Sequence, residues 1–124
     1  MRGGTDEGQA TVELALVLPL VAGLLLLVVQ VGLLARDQIL VVHAAREAAR
    51  AAAVDPDPDA ASRAASASGT LLAHRTSVRV LARDGPGGQV RVVVRYLAPT
   101  ALPLVGSLLG DVPLEGAATM RVEQ

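Results

Sequence analysis

Residues 14–35 form an unbroken apolar run without a formal charge, LALVLPLVAGLLLLVVQVGLLA. An α-helix rises about 1.5 Å per residue, so about 20 residues are enough to cross the hydrocarbon core of a bilayer. Pro19 and Gly23 would weaken a soluble helix, but membrane helices tolerate both residue types. We therefore predict a transmembrane helix over residues 9–35, preceded by a leader-like segment at residues 1–8.

A cleaved secretory signal is the alternative interpretation of this run. Signal peptides place about 7–15 apolar residues behind a basic segment. Here the run is longer, and two acidic residues precede it beside a single arginine. Cleavage after Ala35 would release a soluble domain, so this alternative stays open.

The far end of the run carries polar features of its own. We expect Gln30 and Gly32 at the membrane interface, with contact to another helix as the alternative. Arg36, Arg46 and Arg50 follow the run, whereas only one arginine precedes it. The positive-inside rule alone would place this C-terminal flank in the cytoplasm.

The helical pattern continues beyond the apolar run through residues 36–54, RDQILVVHAAREAARAAAV, which lack Gly and Pro and are rich in Ala. We predict one helix from about Thr11 to Val54, with residues 36–54 as its soluble extension. Helical spacing separates a polar stripe from a face of small residues. The stripe contains His43, Arg46, Glu47 and Arg50; the small face contains Val41, Ala44, Ala45, Ala48 and Ala52. We interpret His43 as a solvated residue because no second ligand stands at metal spacing.

The sequence DPDPD at residues 55–59 ends this helix, since proline cannot continue it. Its three aspartates suggest a cation site, but the loop glycine and downstream glutamate of an EF-hand are missing. We interpret the segment as a stiff linker. Asp59 is suited to cap a short second helix from Ala60 to about Ala73.

The C-terminal part, residues 60–124, changes to a period of two, which is typical of strands. Strands are predicted at residues 77–83, 89–97 and 118–123, with the turn sequence DGPGG joining the first two. Val90, Val92, Val94 and Tyr96 alternate onto one face. Between the second and third strands, residues 98–113 are apolar and predict a short helical turn packed on the sheet. The fold class is therefore α+β, with helices covering the apolar face of a small antiparallel sheet.

Arginines occupy the other face of the predicted sheet. They are Arg79, Arg83, Arg91, Arg95 and Arg121. Two interpretations are open, a solvated face and a surface that binds an acidic protein partner. A nucleic-acid partner is not expected, because the net charge is −1 and no aromatic residues accompany the arginines.

Composition narrows the chemistry further. The 124 residues include no Cys, which excludes disulfides and thiolate sites, and Tyr96 is the only aromatic residue. The sequence contains no phosphate-binding loop, nucleophile elbow or zinc-binding HExxH motif. We therefore predict no enzyme activity, no catalytic residue, no metal, no cofactor and no small-molecule substrate.

The stretch GQATVELALVLPLV, residues 8–21, resembles the processing region of type IV prepilins. In that family a membrane peptidase cuts after a glycine, and a glutamate stands at the fifth mature position. Carried over to this sequence, Gly8 precedes the cut, Gln9 becomes the new N-terminus and Glu13 is the position-five carboxylate.

The closer resemblance is to TadE-like proteins, which are minor pilins or pseudopilins of tight-adherence (Flp) pilus systems. It is carried by Gly8, Val12-Glu13, Leu18-Pro19 and the AAREAARAAA helix from Ala44 to Ala53. The resemblance covers roughly the first half of the chain. It implies a pilin-like fold and a structural role in pilus assembly. The partners it implies are other pilus subunits, a prepilin peptidase and the lipid bilayer, with the C-terminal domain outside the cell membrane.

Two roles for Glu13 remain open at this stage. In an assembly role, its carboxylate meets the α-amine of a neighbouring subunit in one correct register. In the simpler role, it lies among the lipid headgroups. The rival to a pilus function is a single-pass, membrane-anchored protein-binding module that keeps residues 1–8 and does not depend on Glu13.

Overall fold

The computed structural model describes residues 4–100, 102–103 and 105–123 of the chain. In chain order the elements are α1 (Gly4–Val54), α2 (Ala60–Ala67), a 3-10 helix (Ala73–Arg75), β1 (Thr76–Arg83), β2 (Gln89–Ala98), α3 (Val105–Leu109) and β3 (Val112–Arg121). The strands form one antiparallel sheet in the order β1-β2-β3. The predicted α+β class is confirmed, with its long first helix, short second helix and three-stranded sheet.

α1 is a single helix of 51 residues that passes through Pro19 and ends two residues before Pro56. It begins at Gly4, earlier than the predicted Thr11. Glycine in a helix is less favourable than alanine by about 1 kcal/mol, which is too little to stop a helix of this length at Gly8. The start of the leader-like segment, residues 1–3, lies outside the described residues.

The hairpin turn between β1 and β2 forms where the sequence predicts it. Gly87 has φ 81°, a conformation that L side chains rarely adopt, and the Gly88 N–H donates to the Gly85 carbonyl at 2.8 Å. The turn also contacts the end of the third strand, because the Val122 N–H donates to the Gly88 carbonyl at 2.9 Å. The turn thus joins all three strands at one end of the sheet.

Two elements end or begin away from their predicted bounds. α2 ends at Ala67 instead of about Ala73, because the Ser68 hydroxyl donates to the Ala65 carbonyl at 2.8 Å and Gly69 follows. β3 begins at Val112 instead of residue 118. Pro113 is tolerated within it because β3 is an edge strand, where a missing N–H breaks no ladder.

The segment between β2 and β3 contains the predicted short helix, α3, but the two leucines at the end of α3 do not pack on the sheet. Its Leu108 is 86% exposed and its Leu109 is 58% exposed. Residues 101 and 104 of this segment lie outside the described part of the chain. Packing against the sheet therefore does not explain why leucines occur at these two positions.

The core lies between the small-residue face of α1 and the inner face of the sheet. Its buried residues from α1 are Val41, Ala44, Ala45, Ala48, Ala49, Ala52 and Ala53, and those from β2 are Val90, Val92, Val94, Tyr96 and Ala98. Both predicted faces are confirmed. α2 adds Ala61 and Ala65, and the chain end adds Val122. The core therefore consists mostly of alanine and valine, around one tyrosine.

Small side chains bring the helix and the sheet unusually close together. A Cβ added to Gly116 of β3 would lie 2.9 Å from the Val41 carbonyl oxygen and 3.0 Å from the Val42 Cα. Both neighbours are backbone atoms of α1, so neither moves without shifting the helix. Glycine at position 116 is thus required by the distance between β3 and α1.

We predict that Gly116→Ala destabilises the domain by about 1–3 kcal/mol, the usual range for an overpacked contact. The measurement is thermal unfolding of the full chain in detergent, followed by near-ultraviolet circular dichroism. Tyr96 is 4% exposed and is the only aromatic residue, so this signal reports the core alone. The matched control is Gly85→Ala, where nothing lies within 4 Å of the added Cβ. Equal melting temperatures for the two variants would contradict the close contact.

Candidate functional site

The N-terminal half of α1 is largely exposed among the described residues. Its most apolar stretch contains no buried residue, and its exposed large side chains, from Val12 to Leu33, have exposed fractions of 39–73%. By length and composition, this is the one helix in the described part of the chain that is able to cross a membrane. The helix therefore fits a single-pass membrane anchor.

Glu13 stands at the start of this apolar surface. Its carboxylate accepts one hydrogen bond, from the Gln9 side-chain amide, with 3.3 Å between Gln9 Nε2 and Glu13 Oε1. This bond is exposed, and the donor is neutral. Among the described residues, no cation forms an ion pair with Glu13. The nearest charge that follows in the sequence is Arg36, beyond the whole apolar run. Glu13 thus presents an uncompensated carboxylate at the side of the helix.

The peptide bond between Gly8 and Gln9 lies inside α1, one turn before Glu13. Both residues are exposed, and a Cβ added to Gly8 would have no neighbour within 4 Å. The bond is therefore open to a peptidase from the side. The glycine also lowers the free energy needed to unwind the first turns, since it is less favourable in a helix than alanine by about 1 kcal/mol.

Gln30 differs from the rest of the apolar run because it is only 2% exposed. Its Oε1 atom is buried without a hydrogen-bond partner in the described part of the chain. Gln30 therefore packs against other parts of the chain, and its position at the membrane interface stays a prediction. Gln30 and Leu34 stand at helical spacing below Val41, so they extend the buried face of α1 toward the N-terminus.

The outer face of the sheet, opposite α1, carries Arg79, Arg91 and Arg95, as predicted. Arg95 is compensated by Glu115, with 2.6 Å between Arg95 Nε and Glu115 Oε2. Arg121 lies on the same face, since it pairs with Gln89 of β2, two residues before Arg91. Arg79, Arg91 and Arg121 form no ion pair with any described residue. Three positive charges of this face are therefore available to an acidic group from outside.

Arg83 does not share this face, so its assignment there is wrong. The register of β1 shifts between Val80 and Ala82, and after this bulge Arg83 pairs with the buried Val90. A β-bulge inserts one residue and turns the following side chains to the other face of the sheet. Arg83 consequently points to the helix side, where its Nη1 donates to the Asp55 carbonyl at 3.1 Å. It binds the C-terminal end of α1.

The outer face has a shallow depression of about 130 Å³ between the arginines. Its walls are Ser77, Arg79, Leu81, Arg91, Val93, Arg95 and Glu115. Small-molecule sites usually measure about 300–1,000 Å³. The depression is too small for such a site, so the arginine-bearing face is a surface for contact with another macromolecule or with solvent.

The DPDPD linker organises itself through its own side chains. The carboxylate of Asp57 accepts from the Asp59 N–H at 3.0 Å and from Arg63 at 2.8 Å. The hydrogen bond from the Asp59 N–H has the larger effect in lowering the pKa of Asp57, and the bond from Arg63 lowers it further. The bond that Arg63 donates to Asp57 raises the pKa of Arg63. Asp59 precedes α2, but its side chain makes no cap bond there. The described residues include no group of three carboxylate, imidazole or thiol side chains able to hold a metal ion.

Comparison with known protein families bears on the first part of the chain. Residues 8–50 match the family model described as TadE-like protein. The N-terminal segment is TadE-like. The resemblance stated from Gly8, Glu13 and the alanine-rich helix is thus confirmed over these residues. The match indicates a protein related to tight-adherence (Tad) pili. No curated protein and no solved structure gave a significant match to the chain.

The TadE-like segment corresponds to one physical part of the molecule. It begins at Gly8, contains Glu13 and the exposed apolar half of α1, and ends at Arg50 within the buried alanine face. The sheet and its arginines lie outside it. The family match therefore bears on α1 and gives no information about the arginine-bearing face of the sheet.

We predict that Arg83→Gln destabilises the domain, because it removes a cation and its hydrogen bond from the C-terminal end of α1. A cation at a helix C-terminus contributes about 0.3–1 kcal/mol. Arg79→Gln is the matched control, since Arg79 lies on the outer face without an ion pair among the described residues. Thermal unfolding of both full-length variants, followed by the Tyr96 signal, measures the difference. A loss of stability in the Arg79 variant alone would contradict the shifted register.

Proposed function

We propose that this chain is a minor pilin or pseudopilin that serves as a structural component in the assembly of a tight-adherence, type IV-like pilus. It has no catalytic activity of its own. α1 anchors it in the cell membrane as a single-pass protein, and the domain after Ala35 faces outward. Its partners are other pilus subunits, which contact α1, and a prepilin peptidase that cuts between Gly8 and Gln9.

The observation that carries this proposal is the uncompensated carboxylate of Glu13 beside an exposed apolar helix. A carboxylate at the bilayer centre costs roughly 2.5–3.5 kcal/mol on insertion scales, and less near the edge. Among the described residues, the contact of Glu13 is a 3.3 Å hydrogen bond from the neutral Gln9 side-chain amide. Such a bond leaves the charge in need of a partner from another molecule.

Cleavage after Gly8 would create that partner. The new α-amine on Gln9 is a cation one helical turn from Glu13. When two such helices lie side by side with an axial offset, the amine of one is able to meet the carboxylate of the other. Charge pairing of this kind rewards one register and disfavours the others, because a shifted helix leaves both charges unpaired in lipid. Glu13 thus sets the register of assembly.

The family match supports the outward orientation, whereas the arginines after the span count against it. Arg36, Arg46 and Arg50 lie in the first turns after the apolar run, where the positive-inside rule applies. All three lie within residues 8–50, the segment that matches TadE-like proteins. Accessibility of the C-terminal domain to protease added to intact spheroplasts tests this orientation.

We predict that the protein purified from its native membrane begins at Gln9. Intact mass and N-terminal sequencing measure this directly. An N-terminus at Met1 would leave Glu13 without the proposed amine and would favour the membrane-anchored binding module. A chain that begins after Ala35 would instead identify the apolar run as a secretory signal.

We also predict that Glu13→Gln abolishes or strongly reduces piliation while membrane insertion and protein level stay normal. The substitution keeps the size and polarity of the side chain and removes only its charge. Glu47→Gln is the matched control, because Glu47 lies on the same helix but beyond the apolar run. Electron microscopy of pili and membrane fractionation give the two readouts. Unchanged piliation in the Glu13 variant would contradict the assembly role.

A further inference from the structure

Exposed large hydrophobic side chains outside α1 concentrate at one end of the domain. Among the described residues they are Leu72, Val80, Leu81, Leu97, Leu108 and Leu109. Val80 and Leu81 flank the bulge in β1, toward the hairpin turn. The other four belong to the opposite end of the sheet, which includes the connection between β2 and β3. Leu108 and Leu109 of α3 are the most prominent there.

The register between β3 and α1 determines which residues of α1 lie beside that end of the sheet. Gly116 lies against Val41 and Val42, and the Glu123 N–H donates to the Ala53 carbonyl at 3.1 Å, so strand and helix run in the same direction. From Gly116 back to Val112 the strand spans about 13 Å. The same distance covers about nine residues of helix, or fewer where the strand is inclined. The two contacts show that the strand is inclined, so Val112 is roughly level with residues 33–35.

This level falls within the apolar run of α1, which ends at Ala35. Ala98 pairs with Val112, so β2 ends where β3 begins. The connection between them, residues 99–111, consequently leaves the sheet beside the last turns of the predicted span. A connection that continued away from the sheet would cover the next turn of α1, where Gln30 lies.

The burial of Gln30 agrees with such covering. Gln30 is 2% exposed, although its neighbours Val29 and Val31 are 51% and 58% exposed. Its face of the helix is the one that faces the sheet, because Leu34 on the same face packs against the core. The register between β3 and α1 brings the described part of the connection to the last turns of the apolar run.

Described contacts constrain the connection on both sides of its leucines. The Thr100 hydroxyl donates to the Gly110 carbonyl and closes the loop across α3. A Cβ added to Gly106 would lie 2.8 Å from the Thr100 carbonyl oxygen, so the loop is also tightly packed within itself. Arg75 ties its end to the 3-10 helix, with 2.8 Å between Arg75 Nη1 and Asp111 Oδ2.

We propose that the connection between β2 and β3 is a second membrane contact, in which Leu108 and Leu109 of α3 enter the lipid beside the span. The occupant of this surface is the acyl-chain region of the bilayer, because the leucines are continuous in level with the lipid-facing side chains of α1. The Arg75–Asp111 pair lies next to them at headgroup depth, where charged groups stay hydrated. This inference rests on the membrane anchoring under the proposed function.

The test uses single-cysteine variants of the full chain, which has no native cysteine. Leu109→Cys is the reporter, at 58% exposure. Leu81→Cys is the matched control, a leucine with 59% exposure toward the hairpin turn. Leu25→Cys, at 62% exposure in the apolar run, reports the span itself. Each variant carries a nitroxide label and is reconstituted in phosphatidylcholine–phosphatidylglycerol vesicles. Collision rates with oxygen, which concentrates in lipid, and with a water-soluble nickel chelate are measured by electron paramagnetic resonance.

The expected result is that labels at positions 109 and 25 collide mainly with oxygen, whereas the label at position 81 collides mainly with the nickel chelate. A position 109 label that behaves like position 81, with position 25 in lipid, overturns the second contact and leaves the anchor intact. Protection of position 109 from both reagents means that protein covers the leucines, and it also overturns the proposal. A position 25 label in water removes the anchor and this inference together. The near-ultraviolet signal of Tyr96 confirms that each variant is folded.

Discussion

The contact between the alanine face of α1 and β3 determines where every other part of the domain lies. Gly116 meets the backbone of α1 at Val41 and Val42, with no room for a side chain between them. Alanine on one side and glycine on the other allow this approach, and the valines of β2 fill the space beside it. A core of small side chains gains less from each buried residue than an aromatic core. Close packing between the helix and the sheet offsets part of this smaller gain in free energy. The same close packing also fixes the register between helix and sheet.

α1 belongs both to the packed domain and to the exposed apolar segment, so this register also relates the domain to that segment. α1 passes without interruption from Gly4 to Val54, so its N-terminal part and its alanine face keep one rotation and one axial position relative to each other. The helix has no break between Glu13 and the residues that contact the sheet. The DPDPD linker begins only after the helix has completed the core, and its bonds from Arg63 and from its own backbone N–H groups keep it compact.

Local patterns were sufficient to predict the elements, because each one has its own period and its own breakers. The alanine face, the hairpin turn at DGPGG and the inner valines all follow from spacing within a few residues. The errors arise where distant parts of the chain decide. The bulge that turns Arg83 toward α1 depends on pairing with β2, and the tolerance of Pro113 depends on β3 being an edge strand.

The same geometry separates the two surfaces that matter for assembly. Successive residues of an α-helix are rotated by about 100° around its axis. Glu13 is therefore turned from Gln30 by roughly a quarter of the circle. Gln30 marks the side of α1 on which the sheet lies, so the Glu13 carboxylate is turned away from the domain. A second lipid contact through α3 would hold the helix at one rotation in the membrane and keep that direction constant. Glu13 would then meet a neighbour from a defined side, which is what assembly in a single register requires.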